Sequence, residues 1–394
     1  MKILAIETSC DETAISIIEA NGELAEGKQT IITITGEALL SQVALHAQYG
    51  GVFPNLAKRE HAKNLAPILM QALSEAKLLI PSEENQLSKE AVGELKTLLD
   101  REPELFANLV ILLSKIEAPQ IDAVAVTHGP GLEPALWVGI NFAKALSLVW
   151  NKPVIPVNHM EGHMLSSTMK EEAGGFVIPE INFPALALLI SGGHTEIILM
   201  KKWGEYELIG STRDDAVGEA FDKVARMLDL PYPGGPEVSR LANIARANKV
   251  ERLFKLPRPM IDSKDFDFSF SGLKTAVLYQ VKEKGSLSDI EKQALAREFE
   301  DAVAEVLLKK IKDAIEEYSA RSIIIGGGVS ANEHIRNVFN KEFENNEHTD
   351  LYLPAPNLTT DNATMIAVAG FLRSKLGNIT PLADIRAEGG LMVA

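Results

Sequence analysis

The chain has 394 residues, 46% of them hydrophobic, and a formal net charge of −15. That length suits two domains of ordinary size, and the acidic balance excludes a broad basic face able to grip nucleic acid unaided. The one cysteine, Cys10, rules out an intrachain disulfide and fits a reducing, cytoplasmic setting; with no leader signal and no apolar run of membrane-spanning length, no membrane role is expected.

Residues 2–19 read as strand, polar turn and strand, with Asp11 and Glu12 on the turn. A helix is expected over Asn55–Leu73 after the Gly50-Gly51 turn; its near end carries Lys58, Arg59, His61 and Lys63, a local basic patch. Residues 79–118 form an excursion with two apolar stripes at helical spacing, one through Leu95, Leu98 and Leu99, the other from Leu105 to Ile116. They predict a helical hairpin packed on the first lobe. Residues 121–149 read as strand, glycine loop (Gly129-Pro130-Gly131) and helix. A second strand-turn-strand unit occupies 185–200 around Ser191-Gly192-Gly193, nearly half a chain after the first. Helices follow at Asp214–Leu228, from Glu237, and over about Ile290–Tyr318. The strand Ser322–Ile325 then leads into a third glycine turn, Gly326-Gly327-Gly328, and a last helix of small residues spans Ala363–Leu376.

The repeated strand-turn-strand predicts a duplicated α/β architecture of two lobes with a cleft between them. The expected lobes are 1–155, carrying the insertion 79–118 and rejoined by the C-terminal helical segment 361–394, and 156–360.

The chemistry centres on His159-Met160-Glu161-Gly162-His163. Asn158 is a good helix N-cap, and a helix starting there puts the two histidines at i and i+4 on one face, within reach of one ion. Glu161 then points away, so the H-x-E-x-H order lacks the well-placed base of an H-E-x-x-H protease. Asp361, expected to cap the last helix, completes a two-histidine, one-carboxylate set that leaves positions open and suits Zn²⁺ or Fe²⁺ better than Mg²⁺. Three glycine turns after apolar strands favour a phosphate or nucleotide site, although none fits the P-loop or dinucleotide fingerprint. Asp214 is expected to be structural, and Cys10 a packed, inert thiol. With no nucleophile elbow, direct transfer between two bound substrates is expected.

The motifs Glu7–Thr13, His159–His163, Ile190–Thr195, Asp214–Lys223, Tyr232–Pro236, Phe268–Lys274, Gly326–Asn332 and Thr360–Asn362 together resemble the bacterial TsaD family of tRNA threonylcarbamoyladenosine transferases, formerly grouped as glycoprotein endopeptidases. The resemblance implies an α/β, duplicated actin-like ATPase fold of the sugar-kinase and heat-shock-protein superfamily. It implies transfer of a threonylcarbamoyl group from threonylcarbamoyl-AMP to the exocyclic amine of the adenosine 3′ to the anticodon. It further implies one divalent metal ion on His159, His163 and Asp361, an adenylate site at Leu189, Ile190, Ser191, Gly192, Gly193, Asp222, Gly235 and Asn332, and TsaB-like and TsaE-like partner proteins. Asp11 is the expected general base, with Glu12 orienting it. The alternatives are a sugar-kinase-like ATPase, which leaves the histidines without a purpose, and a metalloprotease. The chain departs from the family pattern at Asn55, at Glu133-Pro134, and at Ser239, which stands where aspartate is frequent.

Overall fold

A computed structural model describes residues 1–26, 28–82, 87–377 and 380–393. By contacts the chain divides into two units, Met1–Glu180 with Asp361–Val393, and Ile181–Thr360.

In the first unit, β1 (Lys2–Glu7), β2 (Glu12–Gly22) and β3 (Thr30–Ser41) form an antiparallel meander. A short helix α1 (Val43–Ala47) and the 22-residue α2 (Pro54–Glu75) follow. Next come α3 (Lys89–Leu98), α4 (Pro103–Leu113), β4 (Ala123–Gly129), α5 (Glu133–Trp150), β5 (Val154–Asn158) and α6 (His159–Ser167), then the hairpin β6 (Lys170–Glu172) and β7 (Gly175–Ile178). β4 pairs parallel with β1 and β5 parallel with β4, so the sheet runs β5-β4-β1-β2-β3-β7-β6. Side chains alternate across β1. Leu4 and Ile6 face a core that holds Leu65 and Leu69 of α2, Leu136 and Phe142 of α5, and the insertion's Leu95, Leu105, Leu109 and Leu113. The two stripes therefore bury as expected, although residues 83–86 of the insertion lie outside the described residues.

In the second unit, β8 (Ala185–Ile190), β9 (Thr195–Lys202) and β10 (Glu205–Ser211) repeat the antiparallel meander. The helices α7 (Val217–Met227), α8 (Gly234–Ala247), α9 (Ser271–Lys284) and α10 (Asp289–Tyr318) follow. The unit closes with β11 (Ser322–Gly326), α11 (Glu333–Phe343) and β12 (Asp350–Tyr352). β11 pairs parallel with β8 and β12 parallel with β11, giving β10-β9-β8-β11-β12. This is the order β3-β2-β1-β4-β5 of the first unit, strand for strand and direction for direction. The duplication that the actin-like fold requires is thus present in the topology itself.

Finally α12 (Ala363–Lys375) packs on β1, β2 and β5, and covers the sheet face that carries Ile3 and Ala5. A Cβ at Gly370 would lie 2.7 Å from the Ala125 Cβ, so the helix sits close on β4. Of the C-terminal segment expected to rejoin the first lobe, residues 378, 379 and 394 lie outside the described residues. The boundary expected at 155/156 falls instead at 180/181, because β5 and β7 hydrogen-bond into the first sheet and α6 packs against α12. Among the described residues no helix is long and apolar enough to cross a membrane.

Candidate metal centre and ligand cavity

α6 begins as its sequence demands. The Asn158 side chain accepts from the backbone N–H groups of Met160 and Glu161, at 2.8 and 3.3 Å, and closes the first turn. His159 and His163 then stand one turn apart with rings edge to face, centroids 4.8 Å apart. The third member arrives from the N-terminus of α12. The N-cap there is Asn362, whose Oδ1 accepts from the Met365 N–H at 2.9 Å, not Asp361 as the sequence led us to expect. Freed from capping, Asp361 turns its Oδ1 to His159 Nε2 at 3.3 Å and His163 Nε2 at 3.1 Å.

Those separations fit ligands of one ion. Donors bound at about 2.1 Å with tetrahedral or octahedral angles sit about 3.0–3.4 Å apart. The three donor atoms lie within 4.8 Å of one another. Both imidazoles are buried, while the Asp361 side chain keeps 23% exposure and leaves an open side to the set. Burial lowers the His159 pKa, but Asp361 and Glu7 override it and hold the value well above the ordinary one. Burial, with His159 beside it, keeps His163 below its ordinary value. Burial raises the Asp361 carboxyl, yet the two imidazoles hold it far below the usual carboxylate range. A field that retains a proton on one imidazole is a field that attracts a cation.

Glu7, at the end of β1, is the supporting residue that sequence reasoning passed over. It is fully buried; its Oε2 lies 3.2 Å from His159 Nδ1 and accepts from Thr127 Oγ1 at 2.5 Å, and its Oε1 accepts from the Ser9 N–H at 2.5 Å. Ser9 Oγ lies 3.2 Å from the same ring nitrogen. Engaging Nδ1 fixes the ring with Nε2 toward Asp361, as outer partners of metal-bound histidines do. A glutamate closing an apolar strand, directly before a polar turn, was the available signal.

Glu161 does point away, as predicted. It is fully buried and its Oε2 takes the Arg373 Nε of α12 at 2.6 Å, far from a protease base's task. Asp11 is buried beside the set, and Glu12 hydrogen-bonds to it. Burial, then Asp361 and Asp11, push the Glu12 carboxyl up to about 9, so it carries a proton at neutral pH. Burial and Asp11 push the Cys10 thiol well up, in keeping with an inert cysteine.

Two further expectations need correction. His61 does not belong to the basic patch: it is fully buried, with Nδ1 2.7 Å from Thr13 Oγ1 and Nε2 3.0 Å from the Cys10 carbonyl. The rest of the patch is partly neutralised, Lys58 by Glu102 at 3.0 Å and Lys63 by Glu60 at 3.7 Å. The first glycine turn, moreover, is no anion cradle, because the Gly131 N–H donates to the Gly389 carbonyl at 3.1 Å. A Cβ on Gly129 would lie 2.1 Å from the Glu388 carbonyl oxygen.

The other two glycine turns do meet. In the second unit a cavity of about 790 Å³ is lined by Gly192, Gly218, Asp222, Gly235, Gly328 and Asn332, among others. It has the size of a small-molecule site. Gly327 makes its turn possible: φ is +88°, and a Cβ there would lie 2.5 Å from the Ile190 carbonyl oxygen. Asp222 Oδ1 accepts from the Gly234 N–H at 2.7 Å, and burial raises its pKa against the pull of the Gly234 and Gly235 N–H groups. Of the expected adenylate residues, Gly192, Asp222, Gly235 and Asn332 line this cavity. Leu189 and Ile190 are strand residues buried in the core, and the Ser191 Oγ is engaged by the N–H groups of Gly193 and His194. Asp214 is structural, but for another helix than expected: its carboxylate accepts from the N–H groups of Phe270 and Ser271 at the start of α9.

A family profile described as "TsaD: tRNA N6-adenosine threonylcarbamoyltransferase" matches residues 33–82 and 107–368. The unmatched stretch 83–106 narrows the insertion expected over 79–118 to α3 and the start of α4. The chain is 41% identical over 392 residues to the tRNA N6-adenosine threonylcarbamoyltransferase of Persephonella marina, covering 99% of this chain and 94% of that one. It is 41% identical over 377 residues to the protein of that name from Thermosipho africanus, covering 96% of each. To the one from Bacillus cereus it is 37% identical over 392 residues, with 99% and 96% covered.

Proposed function

The chain belongs to the TsaD family of tRNA N6-adenosine threonylcarbamoyltransferases, and from that premise we propose how its residues divide the work. The reaction is acyl transfer. The threonylcarbamoyl group of threonylcarbamoyl-AMP passes to the exocyclic amine of the adenosine 3′ to the anticodon, in tRNAs that read codons beginning with A. A C–N bond forms, the bond from the carbamoyl carbon to the phosphate oxygen breaks, AMP departs, and the amine gives up a proton.

His159, His163 and Asp361 hold one divalent ion, Fe²⁺ or Zn²⁺. The observation that carries this is their convergence at metal-ligand spacing, with Glu7 fixing the first ring. Such an ion supplies Lewis-acid polarisation of the carbamoyl carbonyl. The cavity of the second unit takes the adenylate. Asp222, Gly235 and Asn332 are on the adenosine side, and Gly192, in the turn that Leu189, Ile190 and Ser191 lead into and Gly193 continues, offers its backbone to the phosphate. Asp11 accepts the proton from the attacking amine, oriented by Glu12, whose carboxyl hydrogen-bonds to it. The adenosine must leave the anticodon-loop stack to react.

TsaB-like and TsaE-like proteins supply the remaining grip on tRNA. The family implies these partners, and the net charge of −15 with a basic patch whose lysines are already paired with glutamates supports the need for them. Work on tRNA puts the protein in the cytoplasm.

Incubation with threonylcarbamoyl-AMP, tRNA and the two partner proteins should yield modified adenosine, and its absence would defeat the reading. Asp11→Asn should lower transfer by roughly 10²–10⁴-fold with adenylate affinity unchanged; undiminished turnover removes Asp11 from the mechanism.

A further inference from the structure

Behind the wall of the second unit's cavity, α10 presents Glu300, a fully buried carboxylate. Its Oε1 accepts from Ser239 Oγ at 2.7 Å and from Asn332 Nδ2 at 2.7 Å, and its Oε2 accepts from Arg246 Nη1. Asn332 Nδ2 also donates to Ser239 Oγ at 2.8 Å, while its Oδ1 caps α11 by accepting from the Ile335 N–H at 2.9 Å. The inventory of donors and acceptors settles the direction of each bond. Asn332 Nδ2, Ser239 Oγ and Glu300 Oε1 form a triangle with sides of 2.7–2.8 Å, so one amide hydrogen of Asn332 is shared between the two oxygens, while its carbonyl is engaged at α11. The single hydroxyl hydrogen of Ser239 points at Glu300, so Ser239 Oγ has no donor left and one free lone pair. Ser239 lines the cavity, and Glu300 does not.

A wall atom held as an acceptor recognises a donor. On an adenosine moiety the donors are the two ribose hydroxyls and the exocyclic amine, and the Asp222 carboxylate, which already accepts from the Gly234 and Gly235 N–H groups, lies on the same wall. We infer that Glu300 is a positioning residue. It never touches the ligand, but by locking the Ser239 hydroxyl it makes Ser239 the receptor for one ribose hydroxyl and so sets selectivity against the nucleotide that lacks that hydroxyl. The carboxylate is delivered from α10 through a serine, at the position where a directly presented aspartate would serve. This rests on the cavity being the adenylate site.

The test is calorimetric titration of the full chain with AMP, 2′-deoxy-AMP and 3′-deoxy-AMP. The parent protein should bind AMP about tenfold more tightly than one of the two deoxy analogues, the loss expected for one buried hydrogen bond. Glu300→Gln can donate to Ser239 and release its hydroxyl, so that preference should collapse to within about twofold. Ser239→Ala leaves Glu300 paired with Arg246 and Asn332 and should lose the same preference with the fold intact. Ser239→Asp alone sets two carboxylates side by side and should weaken AMP binding. Combined with Glu300→Gln, it should restore both affinity and preference. A purely structural Glu300 would change affinity or melting temperature without touching the ratio between analogues. Preserved discrimination in Glu300→Gln or Ser239→Ala, or equal binding of all three nucleotides by the parent, overturns the inference and leaves the adenylate site standing. No AMP binding by the parent removes the adenylate site, and this inference with it.

Discussion

Glu7→Gln isolates the outer support of the metal centre. The change keeps the side chain's volume and removes a negative charge 3.2 Å from His159 Nδ1. The amide can still accept from the Ser9 N–H, and the Thr127 hydroxyl can turn to meet it, so the ion-free fold should hardly change. What is lost is the charge that makes the imidazole a stronger ligand. Outer partners of this kind are worth roughly 10–100-fold in metal affinity, or about 1.4–2.8 kcal/mol. At a free ion concentration of about 100 times the parent's Kd the ion stabilises the fold by about 2.7 kcal/mol. A hundredfold weaker site keeps only about 0.4 kcal/mol of that. The metal-dependent rise in melting temperature should therefore shrink by about 5–9 °C for a unit of about 200 residues. Competition against a chromophoric chelator measures the affinity, and melting with and without ion measures the linkage. An unchanged affinity in a folded Glu7→Gln protein would refute the argument that Glu7 tunes His159.

Three other outcomes are expected. Arg373→Met takes an ion-pair partner from the buried Glu161 and should cost up to about 3–5 kcal/mol in urea unfolding, whereas Arg373→Met with Glu161→Leu should regain most of it; equal losses would show that charge desolvation is not the cause. Burial holds His61 at about 4, below its ordinary 6.5. Between those two values the unfolded chain binds a proton that the folded chain does not, so stability falls as pH drops through that window, by up to about 3 kcal/mol. With chelator present throughout, His61→Gln should flatten that slope, and an unaltered slope would assign it to other groups. Gly327→Ala should be strongly destabilising, since its φ of +88° and the 2.5 Å approach to the Ile190 carbonyl oxygen leave no room for a methyl group; a melting temperature within a degree of the parent's would contradict this.

Much of this was legible in the sequence because it is local. An asparagine before a helix, histidines four apart and apolar stripes at helical period each fix a feature within one or two turns. The α5, α10 and α12 helices accordingly fall within a residue or two of expectation. Most of what escaped depends on residues distant along the chain. β3 opens on the β-branched run Thr30–Thr35, a local strand signal that was passed over, while its register is set by pairing with β2. His61 sits among Lys58, Arg59 and Lys63 in sequence, yet the helical turn sends it inward to Thr13 while they face outward. The Gly129–Gly131 turn looks like the others until residues 388 and 389 are seen to fill it. Asp361 and Asn362 are equal capping candidates by type, and only the packing of α12 against α6 decides which one faces the imidazoles.

The order in which the ligands occur along the chain has a further consequence. His159 and His163 lie before the second unit and Asp361 lies after it, at the start of the helix that completes the first unit's sheet packing. A product that stops anywhere short of residue 361 offers an ion two imidazoles and no carboxylate. It also leaves one face of the first sheet without its covering helix. On the proposed ligand set, all three ligands are therefore available only once translation has run past the whole of the second unit.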